Sequence, residues 1–441
     1  MARTTNDGET DSSVQLSHFT VCVRDVRDAA IDPDAGPEVA TQFEPLRKRL
    51  KTAREAFPTH YRVGFVEPYQ RALERTGEDG FKRILQQDKK REGRAGVLLD
   101  AAQAILQHAE GYQAASTRAF QEVVSDLYAG FLSAEDRRGV KLPDQGTLPP
   151  LVKWGCPDDG AYTWTTEATS LLGVAAAVVN LPPANARRGL LAWAALGHEA
   201  AGHDILGADT GLRTELADAV NKRLSPLGRS LARYWSSRID ETASDVMGIL
   251  NMGQAAAIGL VGYLRGLNWA LSDPATLSND GPNDDPHPAD IVRGYLAAET
   301  IRLLKFSGRS RWADILLGEA NKDVVNIRLS GARVDTAIAH ESAKLAAVVV
   351  ATHKCKSLDG HALGEIQNWY DSDERKANQV RRALRSDAGL SRSESTGVYA
   401  AHAVSAAVLE AVSAGKPGMV FKRMRAILQT MHASDPNWTV K

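Results

Sequence analysis

The sequence has few cysteines, no excess of charge of either sign and no long hydrophobic run. Its 441 residues carry 53 basic and 54 acidic side chains, a formal net charge of −1. This balance argues against nucleic acid as the main partner, because binding to phosphates requires a basic surface. The most apolar stretch, residues 246–264, contains Asn251, Gln254 and four glycines. We therefore predict a buried core helix there and no membrane span.

Cysteine is represented only by Cys22, Cys156 and Cys355. An odd number at wide spacing fits neither a disulfide framework nor a paired cysteine metal site. The first residues contain no apolar segment of the kind found in secretion signals, so we expect none. These absences together predict a cytoplasmic protein.

What the sequence does contain is the segment 196–204, Leu-Gly-His-Glu-Ala-Ala-Gly-His-Asp. It places His198, Glu199 and His203 on one apolar helix. Two imidazoles and a carboxylate in this order are typical of a zinc hydrolase, with two metal ligands and a general base. The usual spacing is H-E-x-x-H, whereas the two histidines here are five residues apart.

This five-residue spacing makes a specific structural demand. A regular helix turns by about 100° per residue, so it would leave His198 and His203 about 140° apart, too far for one metal ion. One π-helical turn would absorb the extra residue, and such turns concentrate at functional sites. Gly202, directly before His203, would tolerate a distorted backbone. We therefore predict a wide turn here. A regular helix would instead carry two unrelated histidines.

A second acidic segment follows at 238–245, Arg-Ile-Asp-Glu-Thr-Ala-Ser-Asp. Glu241 and Asp245 are four residues apart, hence on one face of a predicted helix. Glu241 is a candidate third zinc ligand. Asp245 is a candidate partner for the second ring nitrogen of a ligating histidine, which would fix its tautomer. Alternatively, the helix dipole favours acids at a helix N-terminus, which explains one of the two better than both.

A third segment, 285–293, follows a loop rich in Pro, Gly, Asn and Asp. Loops on a rigid scaffold often carry catalytic groups. His287 and Arg293 are candidates for stabilising the oxyanion of a tetrahedral intermediate. Pro288 favours the first position of a helix that would include Arg293. A surface turn that caps this helix is the alternative.

Together the three segments resemble the gluzincin metallopeptidases, in which a His-Glu…His helix is followed by a helix with E-x-x-x-D. The form H-E-x-x-G-H is also that of the dipeptidyl-peptidase III family, where it binds zinc. His198, Glu199, Gly202 and His203 match it residue by residue. His287-Pro288 with Arg293 is similar to the H-P-x-x-x-x-R element of the CAAX-endopeptidase and HtpX-like gluzincins. The chain matches neither group throughout, and the resemblance covers about residues 170 to 300.

Two segments read as strands. The Val-Val-Asn-Leu end of segment 169–181 is strand-like and is stopped by two prolines, although a buried helix is an alternative. An edge strand there would resemble the place where gluzincins bind extended peptides. Segment 14–23 alternates apolar and polar residues, with one change of phase, and also favours a strand.

The overall prediction is a mainly α (α+β) fold in which a zincin-like catalytic core with a small sheet is flanked by helical regions. Residues 1–36 would form an N-terminal tail with a possible strand, and 37–150 a helical region. Residues 151–300 would form the metallopeptidase-like core, and 301–441 a C-terminal helical region. A chain of this length is long for a single core.

We therefore predict a zinc-dependent peptidase that hydrolyses peptide bonds through a metal-activated water. His198, His203 and Glu241 would bind Zn²⁺, Glu199 would be the general base, and a peptide or protein would be the substrate. One alternative is an iron or manganese enzyme, because Glu199 and His203 are four residues apart and could ligate together with Glu241 and Asp245. Another is a helical binding protein with a degenerate metal site. The oligomeric state stays open.

Overall fold

The computed structural model describes residues 16–133, 137–145, 148–155, 160–386, 390 and 395–438. Their fold is mainly helical with small sheets, as predicted. Six helices precede the first sheet: α1 (Phe19–Ala30), α2 (Phe43–Ala53), α3 (Thr59–Tyr61), α4 (Glu67–Gln87), α5 (Arg94–Glu110) and α6 (Ala114–Leu132).

The first sheet has three short strands, β1 (Leu151–Trp154), β2 (Tyr162–Trp164) and β3 (Val178–Leu181). Strand β3 is central, because it pairs in parallel with β1 and antiparallel with β2. The Val-Val-Asn-Leu strand is thus confirmed, but its expected place at the edge is wrong. Both pairing partners come from segments that precede it in the chain, and β2 occupies the edge instead.

The remaining helices all follow β2 in the chain. They are α7 (Thr166–Ser170), α8 (Leu190–His198), α9 (Leu212–Leu224), α10 (Arg229–Ser236), α11 (Ile239–Met252), α12 (Gln254–Leu271), α13 (Asp290–Leu303), α14 (Arg309–Asn321), α15 (Thr336–Thr352), α16 (Leu363–Ile366), α17 (Asp371–Ser386), α18 (Ala400–Ala414) and α19 (Pro417–Ser434). A second small sheet joins β4 (Asp280–Gly281), β5 (Arg328–Leu329) and β6 (Ala332–Arg333).

Helix α8 is the centre of the larger hydrophobic core. Its sequence, Leu-Leu-Ala-Trp-Ala-Ala-Leu-Gly-His, is apolar on every face, and its first eight residues are all buried. A helix without a polar face has to be surrounded by other elements. Helices α1, α11, α12 and α18 pack against it, and they fix the position of its C-terminal end.

The first sheet lies between two hydrophobic clusters. Leu151 and Val178 belong to the smaller cluster with helices α2 to α5, whereas Val152 and Val179 belong to the larger one. Successive side chains of a strand point to opposite faces. Strands β1 and β3 therefore each contribute to both clusters and connect the N-terminal helices to the core around α8.

The predicted strand at 14–23 is wrong over the part that the structure describes. Val14 and Gln15 lie outside the described residues, and Phe19 begins helix α1. Phe19, Cys22, Val23 and Val26 are buried, at intervals of three, one and three residues. This is the spacing of one helix face. The one change of phase in the alternating pattern of segment 14–23 reflects this helical period.

None of the helices in the described ranges combines the length and hydropathy that a bilayer-spanning segment requires. The stretch 246–264 is divided by Gly253 between α11 and α12, where the backbone has a positive φ of 69°. Cys22 and Cys355 are buried free thiols, and Cys156 lies outside the described residues.

Candidate metal centre

Helix α8 continues into a π-helical turn formed by Glu199–His203. The flanking residues His198 and Asp204 keep right-handed helical backbone angles. The wide turn that the five-residue spacing required is therefore confirmed. As a result, the Nε2 atoms of His198 and His203 lie 3.0 Å apart.

Small residues let this segment cross helix α11 at very short range. A Cβ atom added to Gly202 would lie 2.2 Å from the Cβ of Ser244, and one added to Gly248 would lie 2.7 Å from the carbonyl carbon of Gly197. Gly202 itself keeps a right-handed helical backbone. Its role is therefore close packing and not, as expected from the sequence, tolerance of a distorted backbone.

Helix α11 presents Glu241 to the two histidines. The Oε2 atom of Glu241 lies 3.2 Å from His198 Nε2, and its Oε1 atom lies 3.6 Å from His203 Nε2. The Glu241 side chain is only 10% exposed, and its Oε2 has no hydrogen-bond partner among the described residues. An unsatisfied buried carboxylate oxygen is costly unless a cation or donor compensates it.

These three side chains fit a divalent cation. Zinc binds nitrogen and oxygen at about 2.0–2.2 Å, so two ligand atoms of a tetrahedral site are about 3.3 Å apart. The separations of 3.0, 3.2 and 3.6 Å among His198, His203 and Glu241 bracket this value. The Nε2 atoms are the free ring positions, because the Nδ1 atoms of both histidines contact carboxylates.

Asp245 contacts the Nδ1 atom of His198, and Arg293 holds Asp245 in place. Asp245 Oδ1 lies 2.7 Å from His198 Nδ1. The Arg293 guanidinium donates two hydrogen bonds to Asp245, from Nε to Oδ2 and from Nη2 to Oδ1, each 2.8 Å long. Burial raises the pKa of Asp245, but Arg293 and His198 outweigh it and hold that pKa below its usual value. Asp245 is thus a charged partner that orients the His198 ring.

Asp240 supports His203 in the same way, and sequence reasoning missed it. Its Oδ2 lies 3.1 Å from His203 Nδ1, and Arg213 Nε lies 3.1 Å from its Oδ1. The only signal was the adjacent pair Asp240-Glu241 at the start of α11. The sequence analysis considered only the helix face that carries Glu241 and Asp245, and Asp240 lies beside that face.

Glu199 is held beside the two histidines by the edge strand β2. It is 8% exposed, and its carboxylate offers an oxygen within 4.8 Å of ligand atoms of both His198 and His203. The Thr163 hydroxyl donates to the backbone oxygen and to Oε2 of Glu199, both at 3.0 Å. Thr163 was not predicted, since nothing in the sequence pairs β2 with the π-helical turn.

A cleft of about 440 Å³ reaches His198 and Glu199, whereas His203 and Glu241 lie behind its lining. Leu260, Tyr263, Leu264 and Leu267, on one face of α12, form an apolar wall, and Gly160 and Ala161 before β2 also line the cleft. Burial raises the pKa of Tyr263, so its phenol keeps its proton. Tyr295 on α13 is not part of the lining, and its hydroxyl donates to Asn321 Oδ1.

His287 enters the cleft from the loop before α13. Its side chain is 51% exposed, and its Nε2 lies 3.5 Å from Glu241 Oε1. Arg293 also lines the cleft, but it is only 4% exposed and its guanidinium is bound to Asp245. The structure therefore brings together every residue that the sequence analysis assigned to the site.

Comparison with known proteins finds no matching protein-family model, no similar curated protein and no matching solved structure. The candidate chemistry of this centre therefore rests on its own side chains.

A second group of candidate ligands, Glu215, His353 and Cys355, lies elsewhere. The Glu215 carboxylate already accepts hydrogen bonds from the backbone N–H groups of Lys356 and Ser357. Burial raises the pKa of Cys355 to about 12, which favours the thiol over the metal-binding thiolate. This group is best explained as a structural contact between α9 and the turn after α15.

The pKa of His198 predicts how the stability of the metal-free protein, kept in chelator, depends on pH. Burial lowers the pKa of His198, but Asp245 and Glu241 outweigh it and raise the pKa to about 10. Its pKa in the unfolded chain is about 6.5. The bound proton therefore stabilises the fold fully below pH 6.5, and this contribution is lost as the pH rises through 10.

We expect the free energy of unfolding in chelator to fall between pH 6.5 and 10 by on the order of a few kcal/mol. Urea titrations followed by circular dichroism would measure it. The His198→Asn variant should lose this part of the pH dependence. A wild-type profile that matches the variant over this range would contradict the assignment.

Proposed function

We propose that the chain is a zinc-dependent peptidase of gluzincin type. The observation that carries the proposal is the π-helical turn, which brings the free Nε2 atoms of His198 and His203 together against Glu241. Two imidazoles and one carboxylate are the protein ligands of many catalytic zinc sites. Glu199 lies next to this ligand set, where a general base is needed.

Each side chain then has a separate task. Bound zinc would lower the pKa of a water molecule to about 7 and polarise the carbonyl of the scissile bond. Glu199 accepts the proton of the attacking water on its carboxylate and then donates it to the leaving amine. The Thr163 hydroxyl orients the carboxylate for both transfers through its hydrogen bond to Oε2.

His287 is the better of the two predicted oxyanion stabilisers. Its Nε2 faces the centre from the solvent side, and Asp285 Oδ1 lies 2.8 Å from its Nδ1, where it orients the ring. A preorganised donor of this kind stabilises the negative charge that develops on the carbonyl oxygen. Arg293 acts instead as a positioning residue, since its hydrogen bonds to Asp245 hold the partner of His198.

An extended peptide would bind along β2. This strand is at the edge of its sheet, and Thr163 at its centre contacts Glu199. Gly160 and Ala161, just before the strand, line the cleft. Backbone pairing with an exposed edge is a common mode of peptide recognition, and here it would place the scissile bond beside the general base.

Metal analysis combined with a cleavage assay tests this proposal. Protein purified without added metal should contain about one zinc per chain, and a mixture of unstructured peptides should be cleaved in a reaction that chelator abolishes and zinc restores. Mass spectrometry of the products would also give the cleavage positions. Zinc at one equivalent with no cleavage of any peptide would support a binding protein instead.

One observation favours a second candidate, a carboxylate-rich iron or manganese enzyme. Glu199 lies close enough to His198 and His203 to be a ligand itself. Such a site would also need Asp245, whose two oxygens are both bound by Arg293. Two equivalents of iron or manganese in the purified protein would establish this alternative.

A further inference from the structure

Three imidazoles surround Glu241, and all three have the same arrangement. In each, Nδ1 contacts an aspartate and Nε2 faces the Glu241 carboxylate. The Nδ1–carboxylate pairs are His198 with Asp245 at 2.7 Å, His203 with Asp240 at 3.1 Å and His287 with Asp285 at 2.8 Å. A carboxylate on the second ring nitrogen is the usual support of a histidine that binds a metal.

His287 also has the right distance for a ligand. Its Nε2 lies 3.5 Å from Glu241 Oε1, the same oxygen that lies 3.6 Å from His203 Nε2. Two ligand atoms of a tetrahedral zinc site are about 3.3 Å apart. His287 therefore shares with His203 its distance to Glu241 Oε1, and with both motif histidines the contact of Nδ1 with an aspartate.

We propose that His287 is a third imidazole ligand of the metal centre when no substrate is bound, and that its ring leaves the metal when a substrate oxygen takes its position and stays beside that oxygen as its hydrogen-bond donor. The inference rests on the metal site of the proposed function. With His287 as a ligand, the metal centre without substrate would have three histidines and one glutamate instead of two histidines and one glutamate.

The loop around His287 is built to hold this ring in place. The Asp285 carboxylate accepts the His287 backbone N–H at 2.9 Å as well as facing the ring. Arg238 Nε donates to the backbone oxygen of His287 at 3.2 Å, and the Ala289 N–H donates to Tyr234 Oη at 2.8 Å. Among these contacts only the one from Asp285 to Nδ1 restrains the ring, and the others fix the backbone.

Exposure separates His287 from the other two ligands. Its side chain is 51% exposed, whereas those of His198 and His203 are 10% and 14% exposed. The two motif rings are enclosed and cannot leave without moving α8. His287 can leave by rotation of its side chain alone, so it is the ligand that a substrate would displace.

X-ray absorption at the zinc edge tests the ligand count, because imidazole rings give a distinct outer-shell signal. We expect three imidazoles in the wild-type zinc protein and two in His287→Ala. The control His60→Ala removes an exposed histidine that is not part of the cleft, and it should keep three. Two imidazoles in the wild type would overturn the proposal.

Metal affinity gives an independent measurement. His287→Ala should bind zinc at least about tenfold more weakly in competition with a chelator, the lower bound for losing even a supporting residue. Circular dichroism in chelator should show the same melting temperature as the wild type, since the ring is half-exposed. Unchanged affinity in a folded variant would contradict the assignment of His287 as a ligand.

Acetohydroxamate, which chelates zinc through two oxygens as an amide mimic, tests the release of the ring. Saturating hydroxamate should lower the imidazole count of the wild-type protein from three to two. A count that stays at three, or failure of the hydroxamate to bind, would overturn the release step. These readouts need no peptide cleavage. A protein with three imidazoles and no cleavage would keep this inference and lose the proposed function, and cleavage with two imidazoles would do the reverse.

Discussion

Replacement of Glu199 by glutamine is expected to abolish peptide hydrolysis while leaving about one zinc bound per chain. The amide keeps the size of the side chain and can still contact Thr163, but it can no longer accept the proton of the attacking water. General base catalysis contributes about 10²–10⁴-fold to such reactions, so cleavage should fall by at least that factor. His198, His203 and Glu241 are unchanged, so the metal should remain.

Rates from a fixed peptide and zinc content by atomic absorption would be compared with Glu341→Gln, an exposed glutamate on α15 that contacts Lys344. That control should keep full activity and full zinc content. Full activity of Glu199→Gln would rule out the proposed base. Loss of zinc together with activity would identify Glu199 as a ligand and favour the iron or manganese alternative.

Replacement of Gly202 by alanine is expected to destroy the metal centre through packing. The new Cβ would lie 2.2 Å from Ser244 Cβ and 2.4 Å from Ser244 Cα. Because the α-carbon of Ser244 is itself too close, trimming that residue to glycine cannot relieve the clash, and the π-helical turn has to move away from α11. Overpacking of this kind costs about 1–3 kcal/mol or more, and the shift separates His203 from Glu241.

Gly207→Ala is the matched control, since a Cβ there meets nothing within 4 Å. We expect Gly202→Ala to bind zinc at least tenfold more weakly and to unfold at lower urea, and Gly207→Ala to match the wild type in both. Zinc competition titrations and urea denaturation would measure the two effects. Wild-type zinc affinity in Gly202→Ala would show that the close crossing is not what positions His203.

The proximity of the candidate ligands could be predicted from the sequence because their spacings have geometric consequences. The offset of five positions from His198 to His203 is compatible with one metal only if the helix contains a wide turn, and that turn is present. The offset of four positions from Glu241 to Asp245 places both on one helix face, where the structure has them. These predictions needed only local helix geometry.

Long-range contacts could not be predicted in the same way. The place of β3 in the sheet depends on pairing with β1 and β2, and no residue of β3 encodes it. The partnership of Asp240 with His203 depends on how the π-helical turn is rotated against α11. Gly202 likewise allows a close contact with Ser244, which is 42 residues further along the chain. Such features require the tertiary structure.

The wide turn also sets the rotational phase of everything that follows it. Directly after the turn, Asp204 is 4% exposed and its carboxylate accepts hydrogen bonds from the Thr166 backbone N–H and hydroxyl. Deleting Ala200 would restore the common four-residue spacing, and because the π-helical turn absorbs one residue, a regular helix would keep the following residues in about the same direction. The second histidine of the metal centre and Asp204, which anchors the chain to Thr166, would then stay together, so a single deletion can interconvert the long and the short motif without separating them.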